Sequence, residues 1–422
     1  MPEPPAVAPF RHANFHYYVI ARVLTTTASE MQAVAVAWQV YALTHRPLDL
    51  GLVGLAQFLP GILLFLVAGH TADRFPRQRI LQACCAGFAL CSLLLLGLTL
   101  GDVSSVYPIY GVLLWNGIVR AFAGPAGQAF LPLLVPPEFF PKAVAWNASI
   151  FQAAVIAGPV AGGLVYGWTG SPTLVYSCSA IEYAAALVML AAIRIRAAEE
   201  RRPAASYGMA LEGLRYIRRN PMILGAISLD LFAVLLGGAV ALLPVYAREI
   251  LKIGASGLGI LRGAPGLGAV IMAMAVTHWP LRRRAGAIML WCVCGFGVFT
   301  VIFGLSRNLA LTLTALAAIG ACDMVSVIVR HTLVQLSTPD AMRGRVSAVN
   351  VVFIGASNEV GQFESGITAQ WFGTVPAVVL GGLGTIAIVA LWAWWFPELR
   401  QVDSLVRASG SADRVTQSVL PS

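Results

Sequence analysis

The sequence predicts an all-α membrane protein, with twelve transmembrane helices in two six-helix bundles and both termini cytoplasmic. Three observations lead there. Of 422 residues, 58% are hydrophobic and only 11% are charged, whereas a soluble domain carries roughly 25% charged residues. Apolar runs near the ~20 residues that a helix needs to cross hydrocarbon recur along the whole chain. The two halves also repeat each other at an offset of about 202 residues, which points to a duplicated six-helix unit.

The elements follow in order. Residues 1–16 are a polar, proline-containing tail that lacks the basic start, short apolar core and small-residue site of a cleaved signal. His12 and His16 share a face there and read as solvated or interfacial. Spans are expected at about 17–43, 48–71, 80–100, 106–131, 143–167 and 172–193, giving an N-terminal bundle over 17–193. A polar insertion at 194–220 reads as a cytoplasmic linker, with helical character from Tyr207 to Arg219. The second set falls at about 221–246, 254–277, 287–305, 308–332, 346–372 and 374–396, a C-terminal bundle over 221–396. Irregular backbone cannot face lipid, so each run must be helical. Residues 397–422 form a second cytoplasmic tail, and Trp392, Trp394 and Trp395 before it suit an interfacial aromatic belt.

Arginine placement orients the helices. With the N-terminus inside, 20 of the 28 basic residues fall in cytoplasmic segments and 4 (Arg46, Arg248, Lys252 and Arg307) fall outside. The remaining Arg22, Arg120, Arg262 and Arg330 lie within spans. Positive residues concentrate on the cytoplasmic side, so both termini are expected there.

The net charge of +9 does not imply nucleic acid, because the basic residues punctuate apolar runs and form no stripe with interleaved aromatics. The seven cysteines sit inside apolar runs, without the spacing of a zinc site or of a stapling disulfide. No metal and no cofactor is expected. No Gly-x-x-x-x-Gly-Lys-Ser/Thr phosphate loop occurs, and His45, His70, His278 and His331 are scattered, so no convergent catalytic group is evident.

The repeat is specific in places. Leu134-x-x-Pro137-Glu138 precedes the fifth span and Leu336-x-x-Pro339-Asp340 precedes the eleventh; Val144 matches Val346. Slightly further on, Asn147, Gly158 and Gly163 match Asn350, Gly361 and Gly366. A repeat of even span number relates the halves by an axis along the membrane normal.

Three motifs carry a resemblance. Gly69-His-Thr-Ala-Asp73-Arg74-Phe-Pro-Arg77-Gln-Arg79 joins the second and third spans. It resembles the Gly-x-x-x-Asp-Arg-x-x-Arg loop of the major facilitator superfamily, with Pro76 where that family usually has Gly and Gln78 at a usual basic position. The resemblance implies that Gly69, Asp73, Arg74 and Arg77 gate the transporter, with Asp73 near the start of the eleventh helix, around Gly344–Ala348. A carboxylate is stabilised at a helix N-terminus. Arg120-Ala-Phe-Ala-Gly124 resembles the family's Arg-x-x-x-Gly motif. Gly158-Pro159-Val-Ala-Gly162-Gly163 resembles the motif associated with its exporters, where small residues allow close helix contact and proline permits a kink. With Pro125-Ala-x-Gln128 and Arg343-Gly344-Arg345-Val346, the chain looks most like the enterobactin-exporter and macrolide-efflux branch.

Ionisable residues within spans are expensive and mark pathways. Glu30 is midway along the first span, with Arg22 and Thr26 on the same face. Arg120 lies in the fourth span, Asp230 in the seventh, Asp323 and Arg330 in the tenth, and Glu359 and Glu364 in the eleventh. In the family fold, helices 1, 4, 7 and 10 line the cavity, where the resemblance places Glu30, Arg120, Asp230, Asp323 and Arg330; the candidates for proton coupling or cavity charge are Glu30, Arg120, Asp230 and Asp323, with Glu359 and Glu364 of the eleventh span. Glu182, in a sixth span that should face lipid, does not fit. The resemblance implies efflux of an amphiphilic small molecule, siderophore or drug-like, by proton antiport with alternating access. The expected setting is a monomer in the bacterial cytoplasmic membrane, with substrate, protons and lipid as partners. An uptake permease of the same fold is the alternative; a polytopic membrane enzyme would need a convergent His/Asp or Ser/His group.

Overall fold

The computed structural model describes residues 8–194, 207–279 and 284–401. Parts of both expected tails, linker residues 195–206, Arg282 and Arg283 lie outside the described residues. Among those described, the secondary structure is entirely helical. The first half contains α1 (Ala13–Thr44), α2 (Pro47–Arg74), α3 (Arg77–Leu100), α4 (Tyr107–Phe130), α5 (Phe140–Thr169) and α6 (Thr173–Ala192). Then follow α7 (Tyr207–Arg219), α8 (Pro221–Leu236), the short α9 (Leu243–Val245), α10 (Gly254–His278) and α11 (Ala285–Leu305). The chain continues through α12 (Leu309–Ser337), α13 (Asp340–Phe372), α14 (Thr374–Trp395) and α15 (Pro397–Arg400).

Nine segments of the described residues are long and apolar enough to cross a membrane. The sequence predicts twelve spans, and the three not among these nine are α1, α4 and α13, of 32, 24 and 33 residues. At 1.5 Å per residue each exceeds the ~30 Å hydrocarbon thickness. They are also the helices that carry Glu30, Arg120, Glu359 and Glu364, whose charge and polar neighbours lower their mean hydropathy. Apolar side chains point outward elsewhere: Leu63 is 71% exposed, Ile181 68% and Trp291 75%, as a lipid-facing surface requires.

The helices pack into two compact units. Unit 1 comprises residues 1–205 and 244–263; unit 2 comprises 206–243 and 264–422. In unit 1, α1 lies against α5 and α6, α2 against α4, and α3 against α4 and α6. Glycines on α5 allow close approach: a β-carbon on Gly158 would fall 2.6 Å from the Glu30 β-carbon, and one on Gly163 would fall 2.7 Å from the Gly259 Cα. In unit 2, α11 packs on α12 and α14, while α13 packs on α7, α8 and α14.

The seventh expected span is not a continuous helix. α8 stops at Leu236, and a 3-10 turn (Ala239–Leu242), α9 and a π turn (Tyr246–Ile250) follow. The interruption falls at Gly237-Gly238, a common cause of helix kinks. It lets Gly238 approach α13, where a β-carbon would lie 2.7 Å from the Gly361 carbonyl carbon. Trp392, expected in the interfacial belt, is instead buried and donates its indole N–H to Ser228 Oγ at 3.0 Å. Trp394 and Trp395 are exposed.

Only Phe75 and Pro76 separate α2 from α3. Pro76 ends the turn because its fixed φ suits a helix start and its missing N–H is not needed there. Gln78, the departure from the expected basic position, donates both amide hydrogens to the carbonyls of Leu190 and Ile193 at 2.8 Å. Those carbonyls terminate α6 and have no partner within the helix. Asn14 and Arg194 exchange hydrogen bonds of 2.9 and 3.1 Å, fixing the start of α1 to the chain leaving α6.

Candidate functional site

In unit 1 the helices enclose a cleft of about 470 Å³. The polar face anticipated on α1 lines it: Arg22, Thr26 and Glu30, joined by Arg120 from α4. Glu30 is within electrostatic reach of Arg262 and Arg120, and Arg120 Nη1 also donates to Gln57 Oε1 at 3.3 Å. The Arg22 guanidinium lies 4.8 Å from the centre of the Phe151 ring, a cation–π contact.

The cleft holds more than the sequence singled out. Tyr18, Phe88, Phe151 and Tyr183 supply aromatic surface, and Gln128 and Asn147 supply amides. Helices α3, α5 and α6 therefore contribute besides α1 and α4. Asn147 was legible as a repeat position and Gln128 as part of a motif; the aromatics gave no signal that separates lining from core. Among the described residues, neither Arg22 Nε nor Asn147 Oδ1 has a hydrogen-bond partner. Buried polar groups are normally satisfied, and these two, on residues that line the cleft, are not. The lining thus mixes aromatic faces with amide and guanidinium groups.

Unit 2 carries a compact counterpart. Arg330 Nη2 lies 3.2 Å from Asp230 Oδ2, and Arg330 Nη1 donates to Asn350 Oδ1 at 3.0 Å. All three are buried. Asp323 lies within electrostatic reach of both Asp230 and Arg330. Thus each half places an acid on its first helix, an arginine on its fourth and an asparagine on its fifth: Glu30, Arg120 and Asn147, then Asp230, Arg330 and Asn350. In unit 2 the set is closed by direct bonds, while in unit 1 it lines a cleft.

On α13, Glu359 accepts from Gln362 Nε2 at 3.4 Å and Glu364 accepts from Thr368 Oγ1 at 2.7 Å. Glu182 has a buried Oε2 without a hydrogen-bond partner among the described residues and does not line the cleft. Gly69, Asp73 and Arg74 sit in the last turns of α2 and Arg77 begins α3, where its Nη1 donates to the Ala129 carbonyl at 3.4 Å. Gly158, Pro159, Gly162 and Gly163 are all buried along α5. Among the described residues no three His, Cys, Asp or Glu are grouped to hold a metal.

A helical membrane bundle with a charged, aromatic-lined cleft among its helices has the architecture of a membrane transporter, and the comparisons with known proteins place it in the major facilitator class. The chain belongs to that superfamily: the family model described as transmembrane secretion effector matches residues 5–419. It is 26% identical over 409 residues to the enterobactin exporter EntS of Escherichia coli O6:K15:H31, covering 95% of this chain and 96% of that protein. The EntS of Shigella boydii serotype 4 aligns with the same identity and coverage. Among solved structures, the nucleoside transporter NupG matches with a TM-score of 0.71 at 12% identity, covering 91% of this chain and 99% of that one. A bacterial homolog of the human lysosomal transporter Spinster matches with a TM-score of 0.71 at 12% identity, covering 92% and 97%. These likenesses show the fold. The chain is a multi-pass cell-membrane transporter and not an enzyme.

Proposed function

We propose that the protein exports an amphiphilic small molecule, siderophore or drug-like, across the bacterial cytoplasmic membrane by proton antiport with alternating access. The observation that carries this is the unit 1 cleft, where Glu30 and Arg120 face aromatic and amide groups in a space of about 470 Å³. The near full-length alignment with an enterobactin exporter supports both the outward direction and a siderophore-like cargo. The reading takes α1, α4 and α13 as spans, giving twelve with both termini cytoplasmic, in a monomer.

Glu30, with Arg120 as counter-ion, is the proposed proton carrier; Glu359 is second and Asp230 next. A carboxyl group among lipid-embedded helices alternates between protonated and ion-paired forms when water and a cation reach it in turn. Gly69, Asp73, Arg74 and Arg77 are the proposed gate, and Asp73→Asn reduces transport while leaving the protein in the membrane.

The test measures accumulation of a panel of siderophores and antibiotics in cells with and without the protein. Lower accumulation of one class supports export; higher accumulation makes the protein an uptake permease. In purified vesicles, Glu30→Gln abolishes proton-driven efflux and spares exchange at equal concentrations. Wild-type stoichiometry in that variant would leave Glu30 a structural partner only.

A further inference from the structure

Unit 2 holds a feature that the proposed Glu30–Arg120 proton carrier does not use. Beside the Asp230–Arg330 pair lies a cavity of about 10 Å³, lined by Asp230, Asp323, Ser326, Cys322, Val293 and Phe296 among others. That is about the space one water-sized particle requires. Ser326 is 2% exposed, and its Oγ has no hydrogen-bond partner among the described residues. A helical serine usually returns its hydroxyl to the carbonyl four residues back; this one lines the cavity instead.

Charge gives the second argument. Arg330 lies against Asp230 at 3.2 Å, so one guanidinium faces two carboxylates. The nearby His331 senses Asp230 and Arg330, and the thiols of Cys322 and Cys292 add no fixed charge. With both carboxylates ionised, the group lacks one positive charge. The repeat does not require the extra acid, because seven residues before Arg120 stands Leu113 where seven before Arg330 stands Asp323. A shared proton would neutralise the group but would leave the cavity and the serine hydroxyl unused. A neutral water would fill the cavity and leave the charge.

We propose that Asp230, Asp323 and Ser326 form a site for one small monovalent cation of the Na+ class. The donors are hard oxygens, the ligand type that such cations prefer over nitrogen or sulfur. Two carboxylates and a hydroxyl beside an arginine favour a single charge over a divalent ion.

The test uses purified full-length protein without any transport substrate, so it stands apart from the efflux reading. Na+ replaces choline at constant ionic strength and pH, and 22Na+ binding and thermal unfolding are followed together. Saturable binding of one ion per chain is expected, with K+ a poor competitor. Asp323→Asn abolishes it, and Ser326→Ala, which removes one oxygen and little volume, weakens it at least about tenfold, the scale seen even for second-shell partners of a metal. No saturable Na+ binding, or equal binding in Ser326→Ala and wild type, overturns the proposal. A response to pH alone, unaffected by Na+, also overturns it and assigns the missing charge to a proton.

Discussion

Gly158 stands so close to Glu30 that a β-carbon on the glycine would lie 2.6 Å from that of the glutamate. The glycine-rich stretch Gly158–Gly163 of α5 thus packs directly against the helix that carries Glu30. Gly158→Leu is expected to push α1 away, costing about 1–3 kcal/mol by overpacking and lowering transport more than expression. Gly111→Ala is the control, since nothing lies within 4 Å of its added β-carbon. Thermal unfolding and vesicle transport check both; a Gly158→Leu protein as stable and active as wild type would show that the contact is dispensable.

Much of this was legible in the sequence. Apolar runs gave the helices to within a few residues, because only helices satisfy their backbone in lipid. Arg22, Thr26 and Glu30 shared a face by spacing alone, and they share the cleft. The break after Leu236 was missed, because Gly237-Gly238 in an apolar run reads as packing until the neighbour that needs the space is known. Trp392 was read as interfacial, but its indole N–H found Ser228. Tyr18, Phe151 and Tyr183 could not be told from core residues, since periodicity gives a helix face without saying what that face meets.

The linker helix makes a second prediction. α7 docks on α13 within unit 2: a β-carbon on Gly213 would lie 2.7 Å from the Arg345 carbonyl oxygen, and Glu212 pairs with Arg345. Ile217 is buried in a cluster with Val334, Val346 and Val349. The ion pair is exposed, so Glu212→Ala should cost no more than about 1 kcal/mol. Gly213→Leu removes the close contact and should release the helix. Limited proteolysis within 207–219 distinguishes the two: cleavage should accelerate strongly only in Gly213→Leu.

Docking of α7 should also depend on pH. Tyr216 donates its hydroxyl to the Ser337 carbonyl at 3.1 Å, and burial lifts its pKa above the ordinary 10.0, against a smaller opposing effect from Asn220. The raised value means that the folded state favours the neutral phenol. Its contribution is complete below about pH 10 and is lost as pH rises through the folded value. The opening free energy of α7, from amide exchange corrected for its base-catalysed intrinsic rate, should therefore fall in that alkaline window more for wild type than for Tyr216→Phe. A window below pH 9 would assign the effect to another group.

The two repeat-related asparagines should fail in different ways. Asn350 is 3% exposed and accepts from Arg330 at 3.0 Å. Asn350→Ala leaves a buried guanidinium short of an acceptor, an expected cost of about 1–3 kcal/mol. Asn147 occupies the matching place on α5, but among the described residues its Oδ1 has no hydrogen-bond partner and it lines the cleft. Removing an acceptor that the fold does not use should shift stability by only about 0.5 kcal/mol or less. If that acceptor serves a guest, Asn147→Ala should instead raise the substrate concentration needed for half-maximal transport. Melting curves and transport titrations of both variants decide the matter. Equal destabilisation by the two changes would mean that Asn147 is a structural residue like its repeat partner, and that the open acceptor has no role in binding.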